Sequence, residues 1–183
     1  MAIVTTSLVL DTVRIDFDLP SNNGESIDTF DILILESDGI TYTADPTSCN
    51  GESDANIKAN EYCDIPMSTL TSAPFSLPYN SLIQVKIRAH NVNGYGEYSQ
   101  PNIIGEVALT KPDVMTDLFA DISTSDNSNI DLAWTTPTNN GGSAITNYEI
   151  KEWNTGTLVW DSVSIVASTT TNLPFAGLTP GDT

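Results

Sequence analysis

One phrase occurs twice in this chain: an extended segment, a turn rich in proline, asparagine and glycine, and a second extended segment. The two copies are FDLPSNNGESIDTFDIL at residues 17–33 and WTTPTNNGGSAITNYEI at residues 134–150. Proline restricts φ, and Asn and Gly tolerate positive φ, so each turn can reverse the chain between two strands. The repetition predicts that the chain contains two copies of one β-domain.

The segments beside each turn alternate between apolar and polar residues, as strands with one buried face do. No segment shows a sustained apolar period of about 3.6 residues, so the chain is predicted to be all-β. The predicted buried faces consist of Val13, Ile15, Phe17 and Leu19, then Phe30, Ile32 and Ile34, in the first copy, and of Ile130, Leu132 and Trp134 in the second.

A further pattern lies later in the first copy, where alternating apolar residues run into a glycine-rich turn. It consists of Val85, Ile87, Ala89, Asn91, Gly94, Gly96 and Ser99. Together with the repeated phrase, this pattern resembles the fibronectin type III family. The resemblance implies two tandem immunoglobulin-like β-sandwiches, with a core signature at Phe17, Phe30, Ile87, Trp134 and Tyr148.

The first copy also contains CNGESDANIKANEYC, residues 49–63, which a minimal type III domain lacks. Combined with VKIRAHNVNGYGEYS, this insertion makes residues 1–105 similar to the cysteine-containing repeats of very large ciliate-type protist surface proteins. We therefore predict a first domain at residues 1–105, which carries the insertion, and a second domain at residues 106–183. The linker, at about residues 103–113, contains Pro112 and is short.

The two cysteines of the chain, Cys49 and Cys63, flank the inserted loop. The loop is polar and offers no further Cys or His for a zinc site. A redox-active pair and a structural disulfide are the two interpretations, and the structural disulfide is favoured. Closing a loop of about 15 residues stabilises a domain by about 3 kcal/mol in the chain-entropy model. A disulfide also indicates an oxidising compartment, and hence an extracellular or cell-surface protein.

The second copy is predicted to be an incomplete sandwich. Its strands A, B, C, C′ and E are assigned to residues 118–122, 130–134, 148–153, 158–160 and 170–175. The final GLTPGDT resembles the family's E–F corner, so strands F and G are expected to be missing. The first copy is expected to have a related gap, because little sequence precedes Val4 to form its strand A.

An uncovered sheet edge is costly and prone to association, and two explanations of it stay open. Either the sequence is one piece of a longer tandem-repeat protein, or a neighbouring chain supplies the missing strands by β-addition. The second explanation predicts head-to-tail linkage into filaments, with a candidate assembly edge at Tyr148, Ile150 and Leu178.

Charge excludes one class of partner. The chain has 24 acidic and 6 basic residues, for a formal charge of −18. Binding of nucleic acid needs clusters of Lys and Arg, and none occurs. No apolar run approaches the roughly 20 residues of a transmembrane helix. The expected partners are neighbouring copies or adjacent repeats, and the many serines and threonines leave O-linked glycans open.

The sequence predicts no enzyme and no cofactor. Its one histidine, His90, is expected to face outward on a strand, and no nucleophile or phosphate-binding motif occurs. Calcium is the one metal considered, because carboxylates are its ligands, but neither candidate group matches a known loop spacing. The two groups are Glu52 with Asp54, and Glu106 with Asp113 and Asp117.

These observations predict a structural, self-assembling extracellular repeat unit that serves as a spacer, adhesion or filament segment. The alternative is a carbohydrate- or protein-binding accessory module of a secreted protein. Trp153 and Trp160, which flank a predicted C–C′ hairpin, distinguish the two functions. Exposed indoles favour the binding module, and buried indoles disfavour it.

Overall fold

A computed structural model describes residues 4–121, 123, 125, 129–154 and 156–176. The chain divides into two compact units, Met1–Thr110 and Lys111–Thr183, which we call unit 1 and unit 2. The sequence predicts a boundary five residues earlier. Residues 106–110 belong to unit 1 because Ile83 N donates to Glu106 O at 3.0 Å, Ala108 N donates to Ser81 O at 2.8 Å, and Ala108 is fully buried.

The described part of unit 1 consists of strands with two short helices. In chain order these are β1 Val4–Val9, β2 Thr12–Phe17, β3 Thr29–Leu35, β4 Tyr42–Thr43, α1 Ala55–Asn60, β5 Tyr62–Pro66, α2 Met67–Leu70, β6 Val85–Asn91 and β7 Gly94–Tyr95. The strands form two antiparallel sheets, in the orders β1-β2-β5 and β4-β3-β6-β7.

The two sheets of unit 1 share one hydrophobic core. Inward residues of β2, such as Ile15, and of β3, such as Ile34, are fully buried. Phe17 and Phe30 meet across the core, with ring centroids 5.0 Å apart. Unit 1 is therefore an all-β sandwich, as predicted. Leu19, predicted to continue the buried face, lies beyond the end of β2 and is half exposed.

The expectation that the first copy lacks a first strand is wrong. β1 pairs with β2 along its whole length, from Val4 opposite Phe17 to Val9 opposite Thr12. The connection is only Leu10 and Asp11, and Leu10 takes a left-handed φ of 59° that matches a tight hairpin. Because the hairpin is so short, the few residues before β2 are enough to form the edge strand.

The inserted loop is held by the predicted disulfide between Cys49 and Cys63. Within it, α1 begins where the Asp54 side chain accepts from Asn56 N at 2.8 Å and ends at Glu61, with a left-handed φ of 62°. The helix buries Ile57 in the core of unit 1. The disulfide therefore fixes a loop that is itself part of the packing.

The described strands of unit 2 are fewer and less covered. They are β8 Phe119–Ala120, β9 Asn129–Ala133, β10 Asn147–Asn154, β11 Val159–Ala167 and β12 Asn172–Ala176. They form the sheets β12-β9-β8 and β10-β11. Trp134 and Tyr148 are buried together, with ring centroids 5.6 Å apart. Ile130, predicted on the same buried face as Trp134, is 39% exposed.

The core signature residues Phe17, Phe30, Ile87, Trp134 and Tyr148 are all buried, each less than 9% exposed. Among the residues described, no helix has the length and apolar character needed to cross a membrane.

Candidate assembly edge

The most distinctive feature of unit 2 is the second edge of β10. By the repeated phrase, β10 corresponds to β3 of unit 1. There, β3 is paired on both sides: β6 runs along one edge, from Thr29 opposite His90 to Ile34 opposite Val85, and β4 lies on the other. Strand β10 pairs with β11 along its whole length, and no other strand in the described ranges pairs with it.

On the β4 side of β3, the inserted loop covers the part of the edge that β4 does not reach. Phe30 N donates to Gly51 O at 3.0 Å, beside the short β4. A Cβ added to Gly51 would lie 2.4 Å from Phe30 O, so only glycine fits this approach. Unit 1 thus leaves little of β3 open to another strand, whereas the second edge of β10 has no strand partner among the described residues.

One face of β10 points toward the core of unit 2. Tyr148 lies on this face, and its hydroxyl donates to Thr136 Oγ1 at 3.2 Å. Ile150, two residues on, shares the face and is partly buried. These two residues of the predicted assembly edge therefore lie side by side on one strand. The third, Leu178, lies outside the described residues.

The opposite face of β10 carries charged and aromatic side chains. Lys151 Nζ lies 3.4 Å from Glu149 Oε2, and both side chains are about half exposed. Such a surface pair contributes only about 0–1 kcal/mol to stability. Its importance lies in the order of the two charges along the open edge of β10.

Trp153 follows on the same face and lies directly opposite Trp160 of β11. The indole centroids are 5.5 Å apart, and the ring planes make an angle of 64°. Trp153 is 44% exposed and Trp160 61%. The pair is thus an exposed aromatic surface rather than part of the core.

Unit 1 has its own aromatic surface, which the sequence did not predict. On the outer face of the sheet β4-β3-β6-β7, Lys86 Nζ lies 4.0 Å from the ring centroid of Tyr42 and 4.7 Å from that of Tyr98. Arg88 Cζ lies 4.4 Å from Tyr98 and 4.3 Å from Tyr95. Alternation predicts that Lys86 and Arg88 face outward, but their tyrosine partners come from distant segments that periodicity cannot connect.

We call Tyr42, Lys86, Arg88, Tyr95 and Tyr98 the cation–tyrosine ladder. Asp31 accepts hydrogen bonds from two of its members. Arg88 donates to Asp31 Oδ2 at 3.0 Å, and the Tyr98 hydroxyl donates to the same oxygen at 2.5 Å. Burial, together with the neighbouring carboxylate, raises the pKa of Tyr98 to about 12. Asp31 pairs with Arg88, and Lys86 lies over two tyrosine rings, which indicates that the ladder stabilises the sheet surface.

His90 lies beside this ladder. Its Nδ1 is 2.7 Å from Asp28 Oδ1, and this hydrogen bond holds the pKa of Asp28 below its usual value. The imidazole also packs against the edge of Tyr95 at 4.5 Å. These contacts place His90 in a surface hydrogen bond on an outward strand position.

The first candidate calcium group is engaged in other contacts, and the second is divided between the two units. Glu52 accepts from the Tyr95 hydroxyl at 3.3 Å, and Asp54 caps α1. Glu106 belongs to unit 1, whereas Asp113 and Asp117 belong to unit 2. Across the part of the chain that the structure describes, no three His, Cys, Asp or Glu side chains are grouped so as to hold a metal ion.

Comparison with solved structures finds a crystal structure of the FN1–FN3 domains of chicken CNTN1, at 16% sequence identity and a TM-score of 0.36. The match covers 97% of this chain and 54% of the other, so the chain spans about half the length of that structure. No protein-family model and no curated protein matches the chain. The description of unit 1 as an antiparallel β-sandwich therefore rests on its own strand order and shared core.

Proposed function

We propose that this chain is a structural, self-assembling segment of an extracellular or cell-surface repeat protein. In this proposal unit 2 is a second sandwich of the same kind as unit 1. Its β10 edge receives a strand from a neighbouring copy or an adjacent repeat, in the position that β6 occupies beside β3. The role is that of a spacer, adhesion or filament unit, and it needs no catalytic group.

The observation that carries the proposal is the unpaired edge of β10. An eight-residue strand with an open edge is a template for β-addition. Unit 1 shows what completes such an edge, because β6 covers the corresponding side of β3. The half-exposed Ile130 beside the buried Trp134 is consistent with a core that further strands would cover.

The disulfide supports the proposed extracellular or cell-surface location. Cys49 and Cys63 are each 3% exposed, and a buried disulfide that anchors core packing is typical of secreted domains. We extend the proposal to the narrower resemblance of residues 1–105 to cysteine-containing repeats of ciliate-type protist surface proteins. The bridged insertion supports this extension, because it distinguishes unit 1 from a minimal type III domain.

The test uses a variant that blocks the open edge. Proline cannot donate a backbone hydrogen bond, and Glu149→Pro places it where the donor faces that edge, as derived below. We expect the wild-type chain to form particles of more than one chain in light scattering after size exclusion, and Glu149→Pro to form single chains. Glu149→Ala, which keeps the backbone donor, is the matched control and should still assemble.

A single-chain particle at every concentration, with unit 2 unfolding cooperatively, would contradict the proposal. The chain's tryptophans, Trp134, Trp153 and Trp160, all lie in unit 2. Tryptophan fluorescence during urea unfolding therefore reports on unit 2 alone.

The exposed tryptophan pair favours a second function, binding of carbohydrate. Sugar rings stack on exposed aromatic faces, and Trp160 in particular is well exposed on the outer face of β11. Titration of the chain with cellohexaose or chitohexaose should quench tryptophan fluorescence. Trp160→Ala should abolish the change, and Leu158→Ala, in the adjacent exposed turn, should keep it. No fluorescence change with either sugar at millimolar concentration would count against this function.

A further inference from the structure

The backbone of β10 is arranged for pairing at its open edge. Ser168 N donates to Thr146 O at 2.9 Å, so Thr146 faces β11. In an antiparallel pair, alternate residues direct both backbone groups to the same side. The register shift between Ile150 and Lys151 skips Val163 of β11, so the alternation continues along β10. The N–H and C=O groups of Tyr148 and Ile150 therefore face β11, and those of Glu149 and Lys151 face the open edge.

The side chains at this edge are self-complementary. Glu149, Ile150 and Lys151 place an acid and a base on the outer face, on either side of an apolar residue on the inner face. When two such strands meet antiparallel about Ile150, Glu149 of each strand lies opposite Lys151 of the other. The same register brings the two Ile150 side chains together on the inner face.

Neighbouring registers lose this match. Because side chains alternate between faces, antiparallel pairing can shift only by whole pleats if the inner faces are to stay aligned. Pairing about Glu149 sets two glutamates opposite each other, and pairing about Lys151 sets two lysines opposite each other. Like charges directly opposite destabilise a sheet, and opposite charges stabilise it.

We propose that β10 pairs with β10 of a second copy of this chain, antiparallel about Ile150, to form the four-stranded sheet β11-β10-β10-β11. This inference rests on the proposed function, because it names the partner that occupies the open edge. The same surface serves both copies, so the contact is isologous and closes at two chains instead of growing into a fibre. Head-to-tail linkage has weaker support, since the gap expected in unit 1 is filled by β1.

Charge reversal provides the first test. In Glu149→Lys, two lysine pairs face each other across the axis, and in Lys151→Glu, two glutamate pairs do. We expect each single variant to dissociate at least about tenfold more readily than the wild type. The double variant Glu149→Lys/Lys151→Glu restores both opposite-charge pairs and should return to within about twofold of the wild type. Sedimentation equilibrium at about 0.15 M salt measures the three constants.

The double variant separates pairing from folding. It keeps the Lys151–Glu149 ion pair within each chain, in reversed order, and it changes no net charge. Thermal unfolding followed by tryptophan fluorescence shows whether unit 2 is folded in each single variant. Loss of association in both singles without recovery in the double would overturn the proposed register.

Cross-linking provides the second test. Directly opposed residues of a non-hydrogen-bonded pair have Cα atoms about 4.5 Å apart, which suits a disulfide. Ile150→Cys should therefore form a covalent dimer under mild oxidation. Glu149→Cys is the matched control, because its copies lie on a diagonal about 7–8 Å apart and should link far less.

The outcomes distinguish the symmetric β10–β10 pairing from the proposed function, which is assembly through the β10 edge. A dimer with the Ile150→Cys cross-link and charge-swap recovery supports both. If particles of several chains disperse with Glu149→Pro, but Ile150→Cys does not link and the charge variants have no effect, the symmetric pairing is wrong and edge assembly stands. Single chains in light scattering at every concentration overturn both.

Discussion

Units 1 and 2 contain the same repeated phrase but treat their sheet edges differently. In unit 1, β3 is flanked by β6 on one side and by β4 with the disulfide-held loop on the other. In unit 2, β10 has β11 on one side and, within the described ranges, no strand on the other. Within the described ranges, the same local sequence pattern is covered on both edges in unit 1 and on one edge in unit 2. In unit 1 the edge that corresponds to the open edge of β10 is covered by the later strand β6, and the insertion lies on the other side.

Core packing should show the largest difference between the units. Phe30 is 1% exposed and contacts both Phe17 and the backbone of the inserted loop, so Phe30→Ala should lower the free energy of unfolding of unit 1 by about 3–5 kcal/mol. Tyr148→Ala at the corresponding position should cost less, because the core of unit 2 is partly open and can relax. Urea unfolding followed by far-UV circular dichroism and by tryptophan fluorescence measures the two changes. Equal losses at the two positions would break the comparison.

The disulfide should matter to one unit only. Replacing both cysteines, in Cys49→Ser/Cys63→Ser, should lower the stability of unit 1 by about 3 kcal/mol, because it frees a loop of about 15 residues in the unfolded chain. The tryptophan-detected transition of unit 2 should not move. A shift of that transition by the same amount would show that the two units unfold together.

The smallest expected effect concerns pH. Arg14 donates to Asp64 Oδ1 and Oδ2 at 2.8 and 2.9 Å across β2 and β5, and these hydrogen bonds hold the pKa of Asp64 below its usual value. A lowered carboxyl pKa stabilises the fold at neutral pH, and this contribution is lost as pH falls below the usual value of 3.8 through the lowered one. Asp64→Asn should therefore make the free energy of unfolding of unit 1, measured by urea unfolding, fall less steeply as pH is lowered below 3.8. An unchanged pH dependence would show that solvent screens the pair completely.

The sequence predicted the strands that alternate strictly, and missed those set by turn geometry. Phe17 and Phe30 were placed on buried faces because period-two alternation specifies a face without knowledge of the partner strand. Strand β1 was missed because its two-residue connection, with Leu10 at positive φ, carries no glycine or asparagine signal.

Within the candidate site, the sequence placed Tyr148 and Ile150 on one strand, and it noted Trp153 and Trp160 as a hairpin pair without predicting their exposure. It could not show that Glu149 and Lys151 face an unpaired edge, since pairing depends on strands distant in sequence. The cation–tyrosine ladder was missed for the same reason: Asp31, Arg88 and Tyr98 meet only once the register of β3 and β6 is known.

The bridge across the inserted loop limits how far unit 1 can be extended. Cys49 and Cys63 are 14 positions apart in sequence but have Cα atoms only 5.4 Å apart. When unit 1 is pulled open from its ends, the disulfide keeps the two ends of the loop together. About 45 Å of chain length therefore cannot extend under the force. A reducing environment would release that length of chain, so the extension of unit 1 under load reports directly on the redox state around it.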